Sequence, residues 1–291
     1  MLKRLFATAA LVFATAATAQ DIRLYAFSSG ALTLPKAILQ NMAEGGDVQV
    51  PVGFFLIKHP RGTVVFDTGN NDKLIKDPSY WLPAHRGMVM TPSPTMTPEV
   101  GIEAQLARAG VRLEDVTYVV ASHLHLDHGG NIALFKNSTI LLQRDEITNA
   151  FWPEAGTAGP YYVSDIMPLR NPPGSNSATS YKVVELRGDH DIFGDGTVVV
   201  KRWPGHTPGS QMALVKLRNT GTVVLTGDNV YYRENVTKDI PPNIVLASDP
   251  GGIYRAYDFI RKLMASEKAD FFTAHDPDAF KAMKKAPAFY D

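Results

Sequence analysis

Short runs of apolar and β-branched residues recur along the chain, separated by turns rich in Gly, Pro, Asn and Asp. Runs of this length and composition are typical of buried strands. Strands are therefore predicted at Val50–Ile57, Thr63–Phe66, Thr117–Ala121, Thr139–Gln143, Thr197–Lys201, Met212–Leu217 and Thr222–Thr226. Arg61-Gly62, between the first two runs, predicts a hairpin turn.

Two segments have helical periodicity. The first is predicted to begin with Thr97 as its cap and Pro98 as its first residue, and to end at Gly110. The second is predicted to begin at Asp249-Pro250. Its apolar residues repeat at helical spacing and predict one buried face, made of Ile253, Tyr257, Ile260 and Met264.

A weak internal repeat relates two of these strands. Residues 62–70, a turn followed by a strand and a polar end, resemble residues 221–229. The repeat is compatible with two similar halves. Two further stretches are predicted to be loops: Pro78–Pro98, which is rich in proline and carries large apolar residues, and Asn171–Ser180. The first could be a substrate lid or a packed surface loop, and the sequence favours neither.

The N-terminus has the features of a secretory signal peptide. Lys3 and Arg4 precede an apolar run, and Ala17-Thr18-Ala19 fits a cleavage site before Gln20. The run is too short to span a bilayer, so no stable membrane insertion is expected after cleavage. We therefore predict a signal peptide at residues 1–19, a single domain at residues 20–291, and a periplasmic or secreted protein.

Charge and cysteine content narrow the chemistry. The 29 basic residues equal the 29 acidic ones, so nothing in the charge balance attracts nucleic acid or an anionic membrane. The chain has no cysteine, which excludes a thiolate nucleophile and thiolate metal ligands. Any transition-metal site must therefore use histidines and carboxylates.

Residues 122–130, with the sequence SHLHLDHGG, contain four side chains that can bind metal. On an extended stretch, residues two apart point the same way, so His123 and His125 can share one metal. The chain then turns, which lets Asp127 and His128 face a second metal. Such a mixture of imidazole and carboxylate suits zinc, and also manganese, iron or cobalt.

Three later residues lie in similar settings at or near strand ends. His206 lies in a Pro/Gly turn, Asp228 ends a buried run, and His275 follows another apolar run. Strand ends are where α/β proteins collect ligands from distant parts of the chain. The remaining histidines, His59, His85 and His190, lack metal-like spacing.

This pattern resembles the metallo-β-lactamase superfamily, whose hallmark is H-x-H-x-D-H followed by a distant His, an Asp and a final His. Within it, the chain is most similar to the N-acyl-homoserine lactonases. The matching stretches are residues 122–130, 142–146, 203–209, 226–231 and 274–276. The resemblance implies an α/β fold, an αββα sandwich with the metals at one edge, and a small-molecule lactone as substrate.

The resemblance also implies roles for individual residues. His123, His125 and His206 would bind one divalent metal, Asp127, His128 and His275 a second, and Asp228 would bridge the two, with zinc as the expected metal. A hydroxide shared by the metals would attack the lactone carbonyl. Asp127 would carry the proton to the leaving oxygen and Tyr231 would point at the carbonyl. Asp67 would bond a ligand histidine, although an Asp before Gly is also common in turns.

The chain departs from the lactonase pattern at Leu126, where many relatives carry Phe, and in the stretch from Asn70 to Pro98. Both departures bear on the acyl pocket. The alternatives are an exported organophosphate triesterase or another ester hydrolase, a β-lactamase, which Asp228 disfavours, and a non-catalytic zinc-binding protein. The sequence leaves the acyl-chain length and a homodimer open.

Overall fold

The computed structural model describes residues 22–82, 93–153, 159–170 and 181–291. The predicted signal peptide, His85 and the predicted loop Asn171–Ser180 lie outside these ranges. The strands are β1 Arg23–Pro35, β2 Asp47–His59, β3 Gly62–Phe66, β4 Ser93–Thr95, β5 Tyr118–Val120, β6 Thr139–Gln143, β7 Lys182–Leu186, β8 His190–Asp191, β9 Val198–Arg202, β10 Gln211–Leu217, β11 Gly221–Leu225 and β12 Ala269–Phe272. The helices are α1 Lys36–Leu39, α2 Ile102–Ala107, α3 Arg144–Phe151, α4 Val163–Ile166, α5 Arg233–Lys238, α6 Pro250–Ser266 and α7 Pro277–Ala282.

The strands form two mixed sheets. The larger sheet has the order β4-β1-β2-β3-β5-β6-β7, and the smaller has the order β12-β11-β10-β9-β8. In the larger sheet β1, β2 and β3 pair antiparallel, whereas β3, β5, β6 and β7 run parallel. Parallel neighbours need crossover connections, and helices such as α2 and α3 occur in these connections.

The sheets pack face to face around a shared apolar core. One sheet contributes side chains such as Phe55 and Val64, and the other contributes side chains such as Val200 and Val223. The outer face of the larger sheet packs on α2 and α3, and the outer face of the smaller sheet packs on α6. This four-layer arrangement confirms the predicted αββα sandwich. No helix in the described ranges is long and apolar enough to cross a membrane.

The first predicted helix begins later than expected. Residues Pro98–Val100 form a single 3₁₀ turn, the chain bends at Gly101, and α2 starts only at Ile102. Thr97 makes no capping hydrogen bond. The N-terminus of α2 is instead satisfied by Asp72, whose carboxylate accepts from the Ile102 N–H at 3.1 Å. A cap supplied from a distant segment leaves no local sequence signal.

The second helix is confirmed at its start, where Asp249 is the cap and Pro250 the first helical residue of α6. Ile253, Tyr257 and Ile260 form its buried face, while Met264 is 38% exposed near the C-terminal end. The apolar stripe therefore holds for three of its four predicted members.

All seven predicted strands are present, with ends that differ by at most a few residues. The prediction missed β7, β8 and β12, and it missed β1, whose Ser-Ser-Gly interruption is a register shift between Ser28 and Ala31 within a strand of 13 residues. It also placed β4 in a loop, although β4 pairs with β1. The internal repeat corresponds to β3 and β11, each of which lies between an antiparallel and a parallel neighbour.

Candidate metal centre

The seven candidate ligands come together because they follow four strands that end at one edge of the sandwich. The segment 123–128 follows β5, which is parallel to β3. In the other sheet β9 and β11 both run antiparallel to β10, and β12 is parallel to β11, so the carboxyl ends of β9, β11 and β12 share an edge. His206, Asp228 and His275 follow these three ends. Ligands far apart in sequence therefore meet at the strand ends.

His123, His125 and His206 form the first group. Each offers one ring nitrogen, and the offered ligand atoms lie within 4.8 Å of one another. Nε2 of His206 is 2.9 Å from Nδ1 of His125. Within the part of the chain that the structure describes, Nε2 of His123 has no hydrogen-bond partner even though the side chain is buried. Three ring nitrogens this close together, one of them buried and unsatisfied, form an arrangement that a bound metal would satisfy.

Asp127, His128 and His275 form the second group, whose ligand atoms also lie within 4.8 Å of one another. Oδ2 of Asp127 is 3.6 Å from Nε2 of His128 and 3.5 Å from Nε2 of His275. The two histidine Nε2 atoms are 3.2 Å apart. Zinc bound at about 2.0–2.1 Å in a tetrahedron has ligand atoms roughly 3.3 Å apart, so this spacing suits zinc.

Asp228 lies between the two groups and turns one oxygen to each. Its Oδ1 is 3.1 Å from Nε2 of His128 and 3.2 Å from Nε2 of His275. Its Oδ2 is 3.7 Å from Nε2 of His206 and 4.0 Å from Nε2 of His123. One carboxylate can therefore contact both candidate metal positions.

In two of the candidate ligand histidines, the ring nitrogen Nδ1 donates a hydrogen bond to a backbone carbonyl. Nδ1 of His206 donates to the Leu246 carbonyl at 2.6 Å, and Nδ1 of His275 donates to the Pro51 carbonyl at 2.8 Å. An acceptor at Nδ1 fixes the proton there and leaves Nε2 free to bind a metal. Sequence reasoning missed both contacts, because a backbone carbonyl has no residue signature.

Asp67 supports His128 in the same way. Its Oδ2 accepts from Nδ1 of His128 at 3.0 Å, as expected, and its carboxylate also accepts from the N–H and the hydroxyl of Ser122 at 2.6 and 2.9 Å. Asp67 has a left-handed backbone, with φ of 62°, and is almost fully buried. A non-glycine residue rarely adopts this conformation, which here aims the carboxylate at the centre.

Burial and neighbouring charges set the protonation of the centre. Burial, followed by His128, His125 and His206, holds the pKa of His123 well below its ordinary value. Burial would also lower the pKa of His128, but nearby carboxylates, led by Asp228, raise it well above its usual range. The cluster thus contains ring nitrogens that stay unprotonated and carboxylates that stabilise nearby positive charge. Both properties favour the binding of metal cations.

Tyr231 lies beside the first group. Its hydroxyl is 3.1 Å from Nδ1 of His206, and its ring stacks on His275 with centroids 5.9 Å apart. Burial, and after it Asp228 and Asp127, raises the pKa of the Tyr231 hydroxyl well above its ordinary value. Tyr231 therefore keeps its proton at neutral pH and can act as a hydrogen-bond donor.

The described histidines outside the set lie elsewhere. His59 stacks on Phe193 at 3.8 Å and is 3.1 Å from a carboxylate oxygen of Asp195, at the opposite end of β2 and β3 from the candidate ligands. His190 is half-buried in the edge strand β8. Neither belongs to a group that could hold a metal among the described residues.

Comparison with known proteins gives consistent results. The family model of the metallo-beta-lactamase superfamily matches residues 49–275. N-acyl homoserine lactonase AttM of Azorhizobium caulinodans is 37% identical over 93% of this chain and 99% of its own length. N-acyl homoserine lactonase AiiA of Bacillus thuringiensis subsp. kurstaki is 27% identical over 92% and 98% of the two chains.

A solved structure is similar over the same extent. It is an N-acyl homoserine lactone hydrolase with the product N-hexanoyl-L-homoserine bound at its catalytic metal centre, and it matches with a TM-score of 0.76 and 26% identity. The match covers 93% of this chain and 99% of that one. The chain therefore belongs to the metallo-beta-lactamase superfamily and, within it, to the N-acyl homoserine lactonases.

Proposed function

We propose that this protein opens the lactone ring of N-acyl homoserine lactones, using two zinc ions held by the seven clustered residues. The two groups would each bind one ion: His123, His125 and His206 the first, and Asp127, His128 and His275 the second. Hydrolysis of such lactones removes a bacterial signal, so the biological role we propose is quorum quenching. With the predicted signal peptide, we propose that it acts in the periplasm or outside the cell.

The observation that carries the proposal is the orientation of Asp228. Its two oxygens face different groups, at 3.1 and 3.2 Å on one side and 3.7 and 4.0 Å on the other. A carboxylate shared in this way lets two cations lie roughly 3.5–4 Å apart. A site for a single ion would have no use for the second oxygen or for three further ligands.

Zinc bound by these residues would supply Lewis-acid chemistry, which activates water at neutral pH and polarises the lactone carbonyl. The protein's own residues then complete the reaction. Tyr231, protonated and buried beside His206, donates a hydrogen bond to the carbonyl oxygen and stabilises the charge that develops there. Asp127, the most exposed of the seven at 8%, takes the proton that the attacking water loses and passes it to the ring oxygen as that oxygen leaves.

A cavity of about 620 Å³ opens beside His125 and His206. Its lining includes the exposed apolar side chains of Trp152, Ile244 and Val245. A cavity lined by both candidate metal ligands and apolar side chains suits a substrate that combines a lactone ring with an acyl chain.

The test is turnover of three substrate classes by purified, zinc-loaded protein: an N-acyl homoserine lactone, a phosphotriester and a β-lactam. We expect the product of the lactone reaction to be heavier than the lactone by one water. We also expect kcat/KM for the lactone to exceed that for the other two substrates by at least about 100-fold. This ratio corresponds to a difference in activation free energy of about 2.7 kcal/mol, which is typical of a site built for its substrate. Brisk phosphotriester turnover with inert lactones would assign the site to a triesterase instead.

A further inference from the structure

Glu146 is a buried carboxylate that the proposed reaction does not use. It lies in the first turn of helix α3 and is 1% exposed. A buried carboxylate is costly unless several donors surround it. Three groups donate hydrogen bonds to the Glu146 carboxylate. Two belong to segments that carry ligands of the first group, and the third packs against one of those ligands.

Oε1 of Glu146 accepts from the backbone N–H of Leu124 at 2.7 Å. Leu124 lies between His123 and His125, so this bond fixes the backbone from which both ligands project. Oε1 also accepts from the hydroxyl of Tyr161 at 3.0 Å. The Tyr161 ring packs edge-on against His125, with centroids 4.6 Å apart. One oxygen therefore holds the His123–His125 segment through its backbone and through the neighbour of a ligand ring.

Oε2 of Glu146 accepts from the hydroxyl of Thr207, the residue after His206, at 2.5 Å. The same turn contacts Glu146 a second time at Gly209. A Cβ at Gly209 would lie 2.0 Å from the Glu146 backbone nitrogen, so only glycine lets the turn lie on the start of α3. Both the side chain and the backbone of Glu146 thus fix the turn that carries His206.

We propose that Glu146 is the positioning residue of the first metal: it holds the His123–His125 segment and the His206 turn at the spacing that a single ion needs. The inference rests on the proposed two-zinc function. Within the described residues, the side chain of Glu146 bonds the first group's segments and Tyr161, which packs on His125, whereas Asp67 supports the second group through His128. Loss of Glu146 therefore weakens one metal and spares the other.

The test is metal binding by Glu146→Ala, without reference to activity. Metal-free protein is titrated with zinc against a competing chelator, and cadmium NMR gives one resonance for each site. We expect affinity for the first metal to fall by about 10–100-fold, the usual effect of losing a residue that orients metal ligands. The resonance of the three-histidine site should weaken, while that of the site containing Asp127 persists.

Glu146→Gln is the conservative rescue. Its amide oxygen can accept from Leu124 and Tyr161, and its amide N–H can donate to the Thr207 hydroxyl. That hydroxyl can in turn donate to Oγ of Ser210, which is 2.7 Å away. We expect this variant to bind both metals with affinities close to those of the unmodified protein.

Asp195→Ala is the matched control. It truncates another carboxylate whose side chain is 5% exposed, but one that bonds His59 and Arg61 at the opposite end of β2 and β3 from the candidate ligands. It should leave both metal affinities unchanged. Full affinity in Glu146→Ala, an equal loss at both of its sites, or the same loss in Asp195→Ala would overturn the inference. If the unmodified protein does not bind two metals, the proposed function fails instead.

If Glu146→Ala does not fold, Thr207→Val takes its place. Valine keeps the shape of the buried threonine but cannot donate to Oε2. We expect Thr207→Val to bind metal more weakly at the first site, with a loss smaller than the roughly 10–100-fold expected for Glu146→Ala, and to leave the second site unchanged. Unaltered binding at the first site in folded Thr207→Val would contradict it.

Discussion

At the scale of single residues, Asp127 and Tyr231 have different shares of the proposed reaction. Asp127 belongs to the second group and would move the proton to the leaving oxygen, a step worth about 10²–10⁴-fold in rate. Tyr231 gives one hydrogen bond to an oxyanion that a metal also stabilises. We expect Asp127→Asn to lose at least about 10²-fold in kcat and Tyr231→Phe to lose less.

The measurement is kcat for lactone opening in variants matched for metal content, because Asp127 is also a candidate ligand. Phenylalanine at position 231 keeps the ring that stacks on His275, so Tyr231→Phe isolates the hydroxyl. A larger loss in Tyr231→Phe than in Asp127→Asn would reverse the roles assigned to the two residues.

The candidate metal ligands were the part of the site that could best be predicted from the sequence. The seven candidate ligands carry side chains with few structural uses in such a cluster, and the structure brings all seven together. The supporting contacts were less accessible. Leu246 and Pro51 act through backbone carbonyls, and Glu146 is one acidic residue in a stretch that contributed only to the resemblance.

At the scale of elements, prediction succeeded where a signal lies inside the element and failed where it lies outside. The start of α6 follows from its own Asp249-Pro250. The start of α2 depends on Asp72, some 30 residues earlier, and the length of β1 depends on pairing with β2 across a register shift. Contacts made by tertiary structure override such local patterns.

Asp165 ties helix α4 to the start of Pro78–Pro98, the stretch that the sequence leaves open as a substrate lid or a packed surface loop. Its carboxylate accepts from the hydroxyl of Tyr80 at 2.7 Å and lies 3.4 Å from Nε1 of Trp81. Trp81 is fully buried in the cluster that also contains Leu126 and Tyr231. The described start of this stretch therefore packs into the same core cluster as Tyr231, which fits either alternative.

Burial, only partly offset by these hydrogen bonds, raises the pKa of Asp165 to about 6. The folded protein then binds a proton that the unfolded chain, with its ordinary pKa of 3.8, has released. The contribution of Asp165 to stability is therefore greatest below pH of about 4 and declines as pH rises through about 6. The free energy of unfolding in urea, plotted against pH across this range, should have a different slope for the unmodified protein and for Asp165→Asn. Parallel curves would contradict the assignment.

At the scale of the whole molecule, the sandwich brings the two halves of the centre together. The larger sheet supplies the segment 123–128, and the smaller sheet supplies Asp228, His206 and His275 from its strand ends. Neither sheet holds a complete ligand group, since each three-residue group draws from both. Metal binding should therefore stabilise the packing of one sheet on the other, because an ion that binds only the folded state favours that state.

The central claim is that two metals act together in lactone opening, and a zinc titration of the metal-free protein tests it most directly. Lactone turnover is measured at each zinc equivalent, with Asp228→Ala as the control that lacks the shared carboxylate. We predict that turnover reaches its maximum only at two equivalents per chain, and that Asp228→Ala stays at least about 100-fold lower throughout, as loss of a metal ligand and its paired site implies. Full activity at one equivalent, or an active Asp228→Ala, would contradict the two-metal account.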